Sequence, residues 1–206
     1  MLRGPFLKQQ DTAKPAEDGA RKRLMVSAIG LFAEKGYAST SVREIVARAG
    51  VTKPVLYYYF KNKEGLLRSI LDWASELQEE VLDRVLDMSG TVLEKLVYLY
   101  DRMYEGVMEH QHLFKFIHNL IFGPPQGTPA YDLERYHRRL VSAIKAIYQE
   151  GLEKGSVIKA DPEEVAFLVL GLIDFCFHLD YVHPESADAH RPERLLRLAF
   201  QGLGTP

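Results

Sequence analysis

Two short amphipathic stretches on either side of a glycine constrain this chain more than any other feature. Ser41-Val42-Arg43-Glu44 has the spacing of a capping box, in which the serine hydroxyl accepts a hydrogen bond from the glutamate amide while the carboxylate reaches back. The apolar residues that follow recur at helical spacing as far as Ala49, and Gly50 ends the pattern. The spacing predicts a short helix over 42–49.

A second short helix is predicted directly after this glycine, over about 53–60. Thr52 is placed to cap it, and Val51 and Leu56 are spaced as a hydrophobic staple. Pro54 falls in the first turn, where its missing N–H costs little. Two short capped helices joined by a glycine-containing turn form a helix-turn-helix, whose second helix enters the major groove of DNA. We therefore predict a sequence-specific DNA-binding unit in this region.

The surface chemistry of the second helix favours the same interpretation. Lys53 and Lys63 each stand at the first position of a helix, where a cation opposes the helix dipole at a cost of roughly 0.3–1 kcal/mol unless a phosphate neutralises both. Tyr57, Tyr58 and Tyr59 are consecutive, so at least one ring must be exposed. Each observation alone has an ordinary alternative, namely tyrosines packed inside and lysines that are merely solvated.

Charge is distributed unevenly along the chain. The whole chain has 26 Lys+Arg and 28 Asp+Glu, a net charge of −2. Residues 1–63 contain 12 basic and 5 acidic residues, or +7, which leaves 14 basic and 23 acidic residues, or −9, for residues 64–206. A basic N-terminal part on an acidic body indicates that only the basic part meets a polyanion.

Nearly every segment from Ala20 onward has the periodicity of a helix, and no strand pattern of useful length occurs. The predicted fold is all-α with about nine helices: a small N-terminal three-helix domain with the helix-turn-helix, joined by a long fourth helix to a larger C-terminal bundle. The predicted divisions are a disordered arm at 1–19, a DNA-binding domain at 20–63, and a ligand-binding and dimerisation domain at 64–206.

Several classes of protein are disfavoured by composition. The one cysteine, Cys176, argues against a disulfide framework and a cysteine-rich metal site, and His110, His112 and His118 lack metal-ligand spacing. No nucleophile–base pair or phosphate loop points to an enzyme, and no cofactor is implied. The N-terminus lacks the apolar core of an export signal, and the apolar run 165–177 is too short to span a membrane. We expect a soluble, cytoplasmic protein.

The stretch from Phe32 to Glu64 resembles the TetR family of bacterial transcriptional regulators. The matching runs are Phe32-Ala33-Glu34-Lys35-Gly36-Tyr37, Thr40-Ser41-Val42-Arg43-Glu44-Ile45-Val46 and Ala49-Gly50-Val51-Thr52-Lys53-Pro54-Val55-Leu56-Tyr57-Tyr58-Tyr59-Phe60-Lys61-Asn62-Lys63-Glu64. Pro54 stands where many members carry glycine, and Tyr59 where histidine is frequent, which bears on the bases that are read. The rest of the chain is similar to the family in the number, length and order of its helices.

The resemblance implies a two-fold symmetric homodimer that binds an operator with inverted repeats. It also implies repression that is relieved by a small molecule held in the C-terminal bundle. By position, the resemblance implies DNA contacts from Thr40, Thr52, Lys53, Val55, Tyr57, Tyr58, Tyr59 and Lys63. Arg43 is a further candidate.

The last two long helices have the character of an interface, and the resemblance places dimerisation there. The run 165–173 is apolar nearly all round, as expected for a helix buried on every side, and the last helix supplies complementary apolar residues. A monomer core would give the same pattern, but a symmetric operator favours a dimer. The predicted interface residues are Phe167, Leu170, Asp174, Leu195, Leu198 and Phe200.

The middle helices are rich in aromatic and apolar side chains, which suits a bulky hydrophobic effector, although an ordinary core would also be apolar. The candidate ligand-binding residues are Tyr98, Met103, Tyr104, Val107, Phe114, Ile117, His118, Phe122, Tyr136, Leu140, Phe175 and His178. Asp174 and His178 are one turn apart and are interpreted as a satisfied structural pair, with ligand orientation or a tie between subunits as alternatives.

The predicted function is a ligand-responsive transcriptional regulator, a repressor that binds a palindromic operator as a homodimer and is released by a hydrophobic effector. The alternative is a constitutive DNA-binding protein without a small-molecule effector. The two hypotheses differ in whether any small molecule dissociates the complex with DNA.

Overall fold

The computed structural model describes residues 15–123 and 127–202, which form nine α-helices and one 3-10 turn, with no strand in that part of the chain. The helices are α1 (Pro15–Lys35), α2 (Val42–Ala49), α3 (Lys53–Phe60), α4 (Lys63–Asp87), α5 (Val92–Glu109), α6 (Gln111–Phe122), α7 (Glu134–Glu153), α8 (Pro162–Val182) and α9 (Arg191–Gln201). The predicted all-α architecture, with a three-helix N-terminal unit and a long fourth helix, is confirmed.

The first helix starts earlier than the sequence pattern predicts. A disordered arm over 1–19 is wrong for residues 15–19, because α1 begins at Pro15. Proline is favoured at the first position of a helix, because its missing N–H would have no partner there in any case. The remaining part of the predicted arm, 1–14, lies outside the described residues.

The capping box predicted for α2 is present. The Glu44 N–H donates to Ser41 Oγ at 3.3 Å, and the Ser41 N–H donates to Glu44 Oε2 at 2.9 Å. At the other end of α2, Gly50 has a φ of +64°, a left-handed conformation that a residue without a Cβ adopts at little cost. Local sequence therefore accounts for both ends of this helix.

The cap predicted for α3 is made by backbone rather than by side chain. Thr52 is extended and precedes the helix, but its hydroxyl makes no capping hydrogen bond, so that detail of the prediction is wrong. Pro54 has no N–H to donate, and the Val55 N–H donates to the Thr52 carbonyl oxygen at 3.1 Å. The Thr52 side chain consequently remains exposed at the start of the helix.

The junction between α3 and α4 is tight. Asn62 caps α4 by accepting a hydrogen bond from the Gly65 N–H at 2.7 Å. A Cβ on Gly65 would lie 2.0 Å from the Phe60 carbonyl oxygen, so glycine is required there. The close approach of Gly65 to Phe60 fixes the angle between α3 and the long helix α4.

The core of the N-terminal unit is shared with a helix from the C-terminal bundle. Buried side chains of α1–α4, among them Phe32, Ile45 and Leu56, form one cluster that also contains Leu113 and Phe116 of α6. The Phe32 and Phe116 ring centroids are 5.2 Å apart. The first core therefore extends beyond the predicted boundary at residue 63.

A second core cluster fills the C-terminal bundle. It joins the end of α4 to α5, α7, α8 and α9 through buried side chains such as Val85, Leu96, Ile144 and Ile173. Polar side chains connect α4 to the start of α7: the Tyr131 hydroxyl donates to Asp72 at 2.8 Å, and the Tyr136 hydroxyl donates to the Leu71 carbonyl oxygen. The long fourth helix thus contacts both units.

Helix α8 is buried on one side only within the subunit. Ala166, Val169 and Ile173 face the second core, whereas Phe167 and Phe175 are 51% and 59% exposed. The run 165–173 is thus buried on one side only within the subunit, and burial of the other side at a dimer interface stays a prediction. None of the described helices combines the length and the apolar composition needed to cross a membrane.

Candidate DNA-binding surface and ligand cavity

The exposed face of α3 carries two tyrosines and a lysine. Leu56 and Phe60 point into the N-terminal core, while Tyr57 and Tyr58 are 47% and 75% exposed on the other side of the helix. Lys53 lies one turn before Tyr57, on the same side, and is also exposed. This face presents hydroxyl donors, an ammonium group and two aromatic rings to solvent.

The other two predicted contact residues on α3 are partly covered. Val55 and Tyr59 pack against the N-terminal core. The Tyr59 ring lies edge-on to Tyr58, with centroids 5.0 Å apart. The three consecutive tyrosines are therefore divided between solvent and core, as their spacing requires, and Tyr59 supports the most exposed ring.

Two residues outside α3 differ in exposure. Arg43 on α2 is exposed. Thr40 is 1% exposed, and its hydroxyl donates to the Gly36 carbonyl oxygen at 2.8 Å. Direct DNA contact by the Thr40 side chain is an expectation that this burial contradicts; the residue instead closes the turn between α1 and α2.

Lys63 has intramolecular partners that the sequence does not reveal. Its Nζ donates to the carbonyl oxygens of Tyr37 and Thr40 at 3.0 and 2.9 Å and lies 4.1 Å from the centroid of the Tyr37 ring. Burial lowers the pKa of this amine. These carbonyl groups, rather than a phosphate, account for a lysine at this helix start, which corrects the electrostatic argument for this residue.

Helices α1 and α2 are joined by three polar contacts. Arg23 Nε donates to the Ala49 carbonyl oxygen at 3.1 Å, and Arg48 pairs with Glu34 at 2.7 Å. Lys35 pairs with Glu44, the residue that also completes the capping box. The lysine and the Ser41 donors lower the pKa of the Glu44 carboxyl to about 2. The Glu44 carboxylate thus both caps α2 and pairs with Lys35 of α1, so it contributes to the orientation of α2 on α1.

A cavity of about 200 Å³ lies among α5, α6 and α8. Tyr104, Phe114 and Phe177 give it an aromatic wall, in which Phe114 meets Phe177 edge-on with centroids 6.1 Å apart. Among the described residues, those that line it are Tyr104, Val107, Met108, Gln111, His112, Phe114, Lys115, Phe177 and Asp180. Its polar side chains Gln111, His112 and Lys115 come from α6, and its acid, Asp180, comes from α8.

Three of the predicted ligand residues line this cavity, namely Tyr104, Val107 and Phe114. The others lie elsewhere. Leu140 is buried in the second core, Tyr98 and Met103 pack against that core, and Ile117 packs against the first. Tyr136 is bonded to α4, and Phe122, Phe175 and His178 are exposed. His118 stacks with His178, with ring centroids 6.0 Å apart.

The polar residue of α8 that lines the cavity is Asp180, whereas Asp174 and His178 are the pair singled out from the sequence. Asp174 and His178 are both exposed on the subunit, so a buried pair is wrong; Asp174 interacts electrostatically with His137 and His118. Asp180 is 4% exposed and lines the cavity. Helical spacing from the buried residues 166, 169, 173 and 176 would have placed residue 180 on the inner face.

Exposed apolar and small residues occur on both α8 and α9, and we refer to them together as the apolar surface: Phe167, Leu168, Gly171, Phe175, Val182, Leu198 and Ala199. The polar residues Asp174 and His178 are exposed on α8 among them. Of the predicted interface residues, Leu198 and Phe167 are exposed, whereas Leu195 and Phe200 are partly buried against the second core. Leu170 is 2% exposed, which excludes it from an interface, since its side chain is already buried in the subunit.

Comparison with known proteins identifies the class. Residues 24–70 match the family model described as bacterial regulatory proteins, tetR family. The chain is 30% identical over 148 residues to the HTH-type transcriptional repressor KstR2 of Mycolicibacterium smegmatis, covering 69% of this chain and 70% of that protein.

Solved structures share the fold. The regulator FadR from Bacillus subtilis, in complex with stearoyl-CoA, has a TM-score of 0.70 and 20% identity and covers 89% of this chain and 99% of its own. A SmeT–triclosan complex has a TM-score of 0.71 and 22% identity, with coverage of 91% and 95%.

The architecture and the exposed second helix of the helix-turn-helix define a DNA-binding transcriptional regulator. The chain belongs to the TetR family of bacterial regulatory proteins. Proteins of this family act by binding rather than by catalysis, which agrees with the prediction that the chain is not an enzyme.

Proposed function

We propose that this protein is a homodimeric repressor that binds an operator with inverted repeats through α3 and leaves it when a small molecule occupies the C-terminal cavity. The observation that carries the proposal is the face of α3, where Lys53, Tyr57 and Tyr58 are exposed on a helix held by a capped neighbour. In this proposal the protein binds its operator in the cytoplasm. Residues 20–63 form the DNA-binding domain, and residues 64–206 form the ligand-binding and dimerisation domain.

The residues of the surface differ in the contacts they can make. Lys53 and Arg43 suit phosphate oxygens, which position the protein without selecting a sequence. Tyr57 and Tyr58 combine a hydroxyl with an apolar ring, so they can donate to a phosphate or base and pack on a thymine methyl. Thr52, with its hydroxyl left free of capping, adds a donor at the start of the helix. Val55, Tyr59 and Lys63 would contribute mainly by holding this face in place.

The apolar surface of α8 and α9 supports the dimer. Large exposed apolar patches on a subunit mark interaction sites. A second copy of the chain is the occupant that a palindromic operator requires, because a two-fold axis in DNA is matched by a two-fold axis in protein. Phe167 and Phe175 lie about two helical turns apart, are both exposed, and would contribute to this contact.

Helix α6 offers a route from the cavity to the DNA-binding unit. Phe114 and Lys115 line the cavity, while Leu113 and Phe116 belong to the core around α1. A ligand that moves α6 would therefore act on the unit that carries α3. SmeT with triclosan and FadR with stearoyl-CoA show that bodies of this fold hold ligands of very different size. The volume here favours a compact effector over the bulky one suggested by the aromatic content.

The DNA-binding surface is tested by the salt dependence of binding to a duplex selected in vitro with the wild-type protein. Lys53→Gln should reduce the slope of log K against log salt by about one per subunit, because one phosphate contact is lost. Lys159→Gln is the matched control: it makes the same change at an exposed lysine between α7 and α8. Its slope should equal that of the wild type.

The same assay examines the tyrosines. Tyr58→Ala should weaken binding to the selected duplex by about tenfold or more, since a good contact to a base contributes about 1–3 kcal/mol. Phe122→Ala, a change at another exposed ring, should have no effect. Unchanged affinity and slope in both Lys53→Gln and Tyr58→Ala would rule out this face of α3.

A further inference from the structure

Lys61, between α3 and α4, is the one residue other than glycine with a positive φ in the part of the chain that the structure describes. Its φ is +63° and its ψ is −43°. The Asn62 N–H donates to the Phe60 carbonyl oxygen at 2.7 Å, which closes a three-residue γ-turn around Lys61. The form of this turn with a positive φ is rare and strained, because the Cβ of an L-residue crowds the backbone there.

The junction between the two helices holds this turn without using the Lys61 side chain. Asn62 caps α4 by accepting from the Gly65 N–H, and Gly65 lies against the Phe60 carbonyl oxygen. Glycine adopts a positive φ at little cost and would be compatible with all of these backbone contacts. A lysine at the strained position therefore calls for a reason that lies in its side chain.

The ammonium group of Lys61 has no acidic partner among the described residues. The side chain is exposed, and Glu64, the nearest acid in the sequence, pairs with Arg68 at 2.9 Å. Lys63, two positions further on, donates instead to backbone carbonyl oxygens of its own unit. The charge of Lys61 is therefore available to a partner outside the chain.

The position of Lys61 relative to Lys53 fits the dimensions of DNA. The Lys61 N–H donates to the Tyr57 carbonyl oxygen at 3.0 Å, so its backbone nitrogen lies one helical turn beyond Tyr57, as Lys53 lies one turn before it. At a rise of about 1.5 Å per residue, the two lysines are about 12 Å apart along the helix axis. The major groove is about 12 Å wide, and a sugar–phosphate backbone borders it on either side.

We propose that Lys61 is a DNA-positioning residue, whose ammonium group binds a phosphate on the strand across the major groove from the one that Lys53 contacts. The inference rests on the proposed function, because it adds a contact to the surface on α3. It accounts for a lysine where the backbone favours glycine. A phosphate contact positions the helix without selecting bases, so its loss weakens binding about equally on every duplex.

The proposal predicts that stability and DNA binding change in opposite directions in Lys61→Gly. Glycine relieves the strain, so the urea midpoint should rise at equal protein concentration. Loss of the ammonium group should reduce the slope of log K against log salt by about one per subunit on the duplex selected with the wild-type protein. Binding to an unrelated duplex should weaken by the same factor.

Lys159→Gly is the matched control for both measurements. It makes the same exchange at an exposed lysine outside the helices, where φ is not positive. Its salt slope should equal that of the wild type, and its urea midpoint should not rise.

Two further variants separate the charge from the strain. Lys61→Gln keeps a side chain on the strained backbone, so the slope should fall as in Lys61→Gly while the urea midpoint stays below that of Lys61→Gly. Lys61→Arg should retain the wild-type slope. A lysine favoured only by the negative end of the α3 dipole would leave the slope unchanged in all three. That result overturns the phosphate contact, and a Lys61→Gly no more stable than the wild type overturns the argument from strain.

Lys53→Gln and Tyr58→Ala, measured on the same duplex, distinguish this inference from the proposed function. If they weaken binding as expected while the Lys61 variants bind like the wild type, the surface on α3 stands and Lys61 is no part of it. A reduced slope in the Lys61 variants alone would reject the tyrosine face and keep the phosphate contact. Wild-type binding by every variant rejects both.

Discussion

Lys95 is a charged residue in an apolar core, 2% exposed on α5. Its Nζ donates to Glu150 Oε2 on α7 at 2.6 Å, and the same carboxylate also pairs with Lys154 on the surface. The two lysines lower the pKa of Glu150 to about 2. Removing a buried ammonium from water is costly, and the carboxylate offsets that cost only while it is in place.

The two partners should therefore respond unequally to substitution. Lys95→Met replaces the buried ammonium with an apolar chain of similar length, and we expect stability close to that of the wild type or higher. Glu150→Ala leaves the buried Lys95 ammonium without its carboxylate partner, so we expect this variant to be the less stable of the two. Urea unfolding measures both. Lys154→Met, which removes only the surface partner, serves as control, and a Lys95→Met variant less stable than Glu150→Ala would contradict the argument.

The capping box of α2 makes the stability of one helix depend on a single ionised group, the Glu44 carboxylate. Glu44 has a pKa lowered to about 2 by Lys35 and Ser41, so its contribution is present above the unfolded value of about 4.5 and is lost as the pH falls towards 2. The wild type binds fewer protons when folded than when unfolded across this interval. Acid should therefore weaken the contact between α2 and α1.

Glu44→Gln should lower stability at pH 7 by an amount that is constant down to about pH 5.5 and then shrinks below about pH 4.5. The amide cannot accept the same charge-assisted bonds, while the protonated wild-type carboxyl loses them too. Urea midpoints at several pH values measure the difference. Glu80→Gln, at an exposed pair with Arg84 3.7 Å long, should show no such trend. A difference that does not change with pH would mean that the ionised form plays no part.

The helices and their caps could be predicted because their causes are local. Ser41, Glu44 and Gly50 act within one or two turns, and apolar spacing marks the inner face of each helix. What could not be predicted depends on neighbours far along the chain. The position of Lys63 predicts a phosphate ligand, but its ammonium group donates to the Tyr37 and Thr40 carbonyl oxygens. The contact of Phe116 with Phe32 likewise joins residues from distant parts of the sequence.

The candidate sites divide in the same way. The exposed tyrosines follow from the period of α3, since three consecutive rings cannot share one side. The cavity depends on how α5, α6 and α8 meet, and aromatic content alone does not distinguish its lining from a packed core. Helical spacing on α8 predicts Asp180 on the inner face, whereas Asp174 and His178 are the polar residues that interrupt the apolar run earlier.

For the assembled molecule, the apolar surface on α8 and α9 leads to a prediction about the dimer. In the proposed homodimer, Phe175→Glu would place a charge from each subunit in an apolar contact, so we expect this variant to be a monomer at micromolar concentration. Ile158→Glu is the matched control, since this side chain is 85% exposed outside both helices. Sedimentation equilibrium distinguishes the two; a Phe175→Glu dimer of wild-type affinity would remove α8 from the interface.

The contact between Phe32 and Phe116 also bears on attempts to transplant this protein's DNA specificity. A chimera that joins residues 1–63 to the body of another regulator would set Phe32 against a foreign α6, with no matching ring or with a cavity in its place. In such a hybrid we expect the N-terminal unit to be misoriented for DNA binding, or DNA binding to be insensitive to the effector. The unit that can be exchanged is therefore not a contiguous stretch of chain, since it comprises the N-terminal unit together with the inward face of α6. Recombination between relatives has to preserve both parts at once.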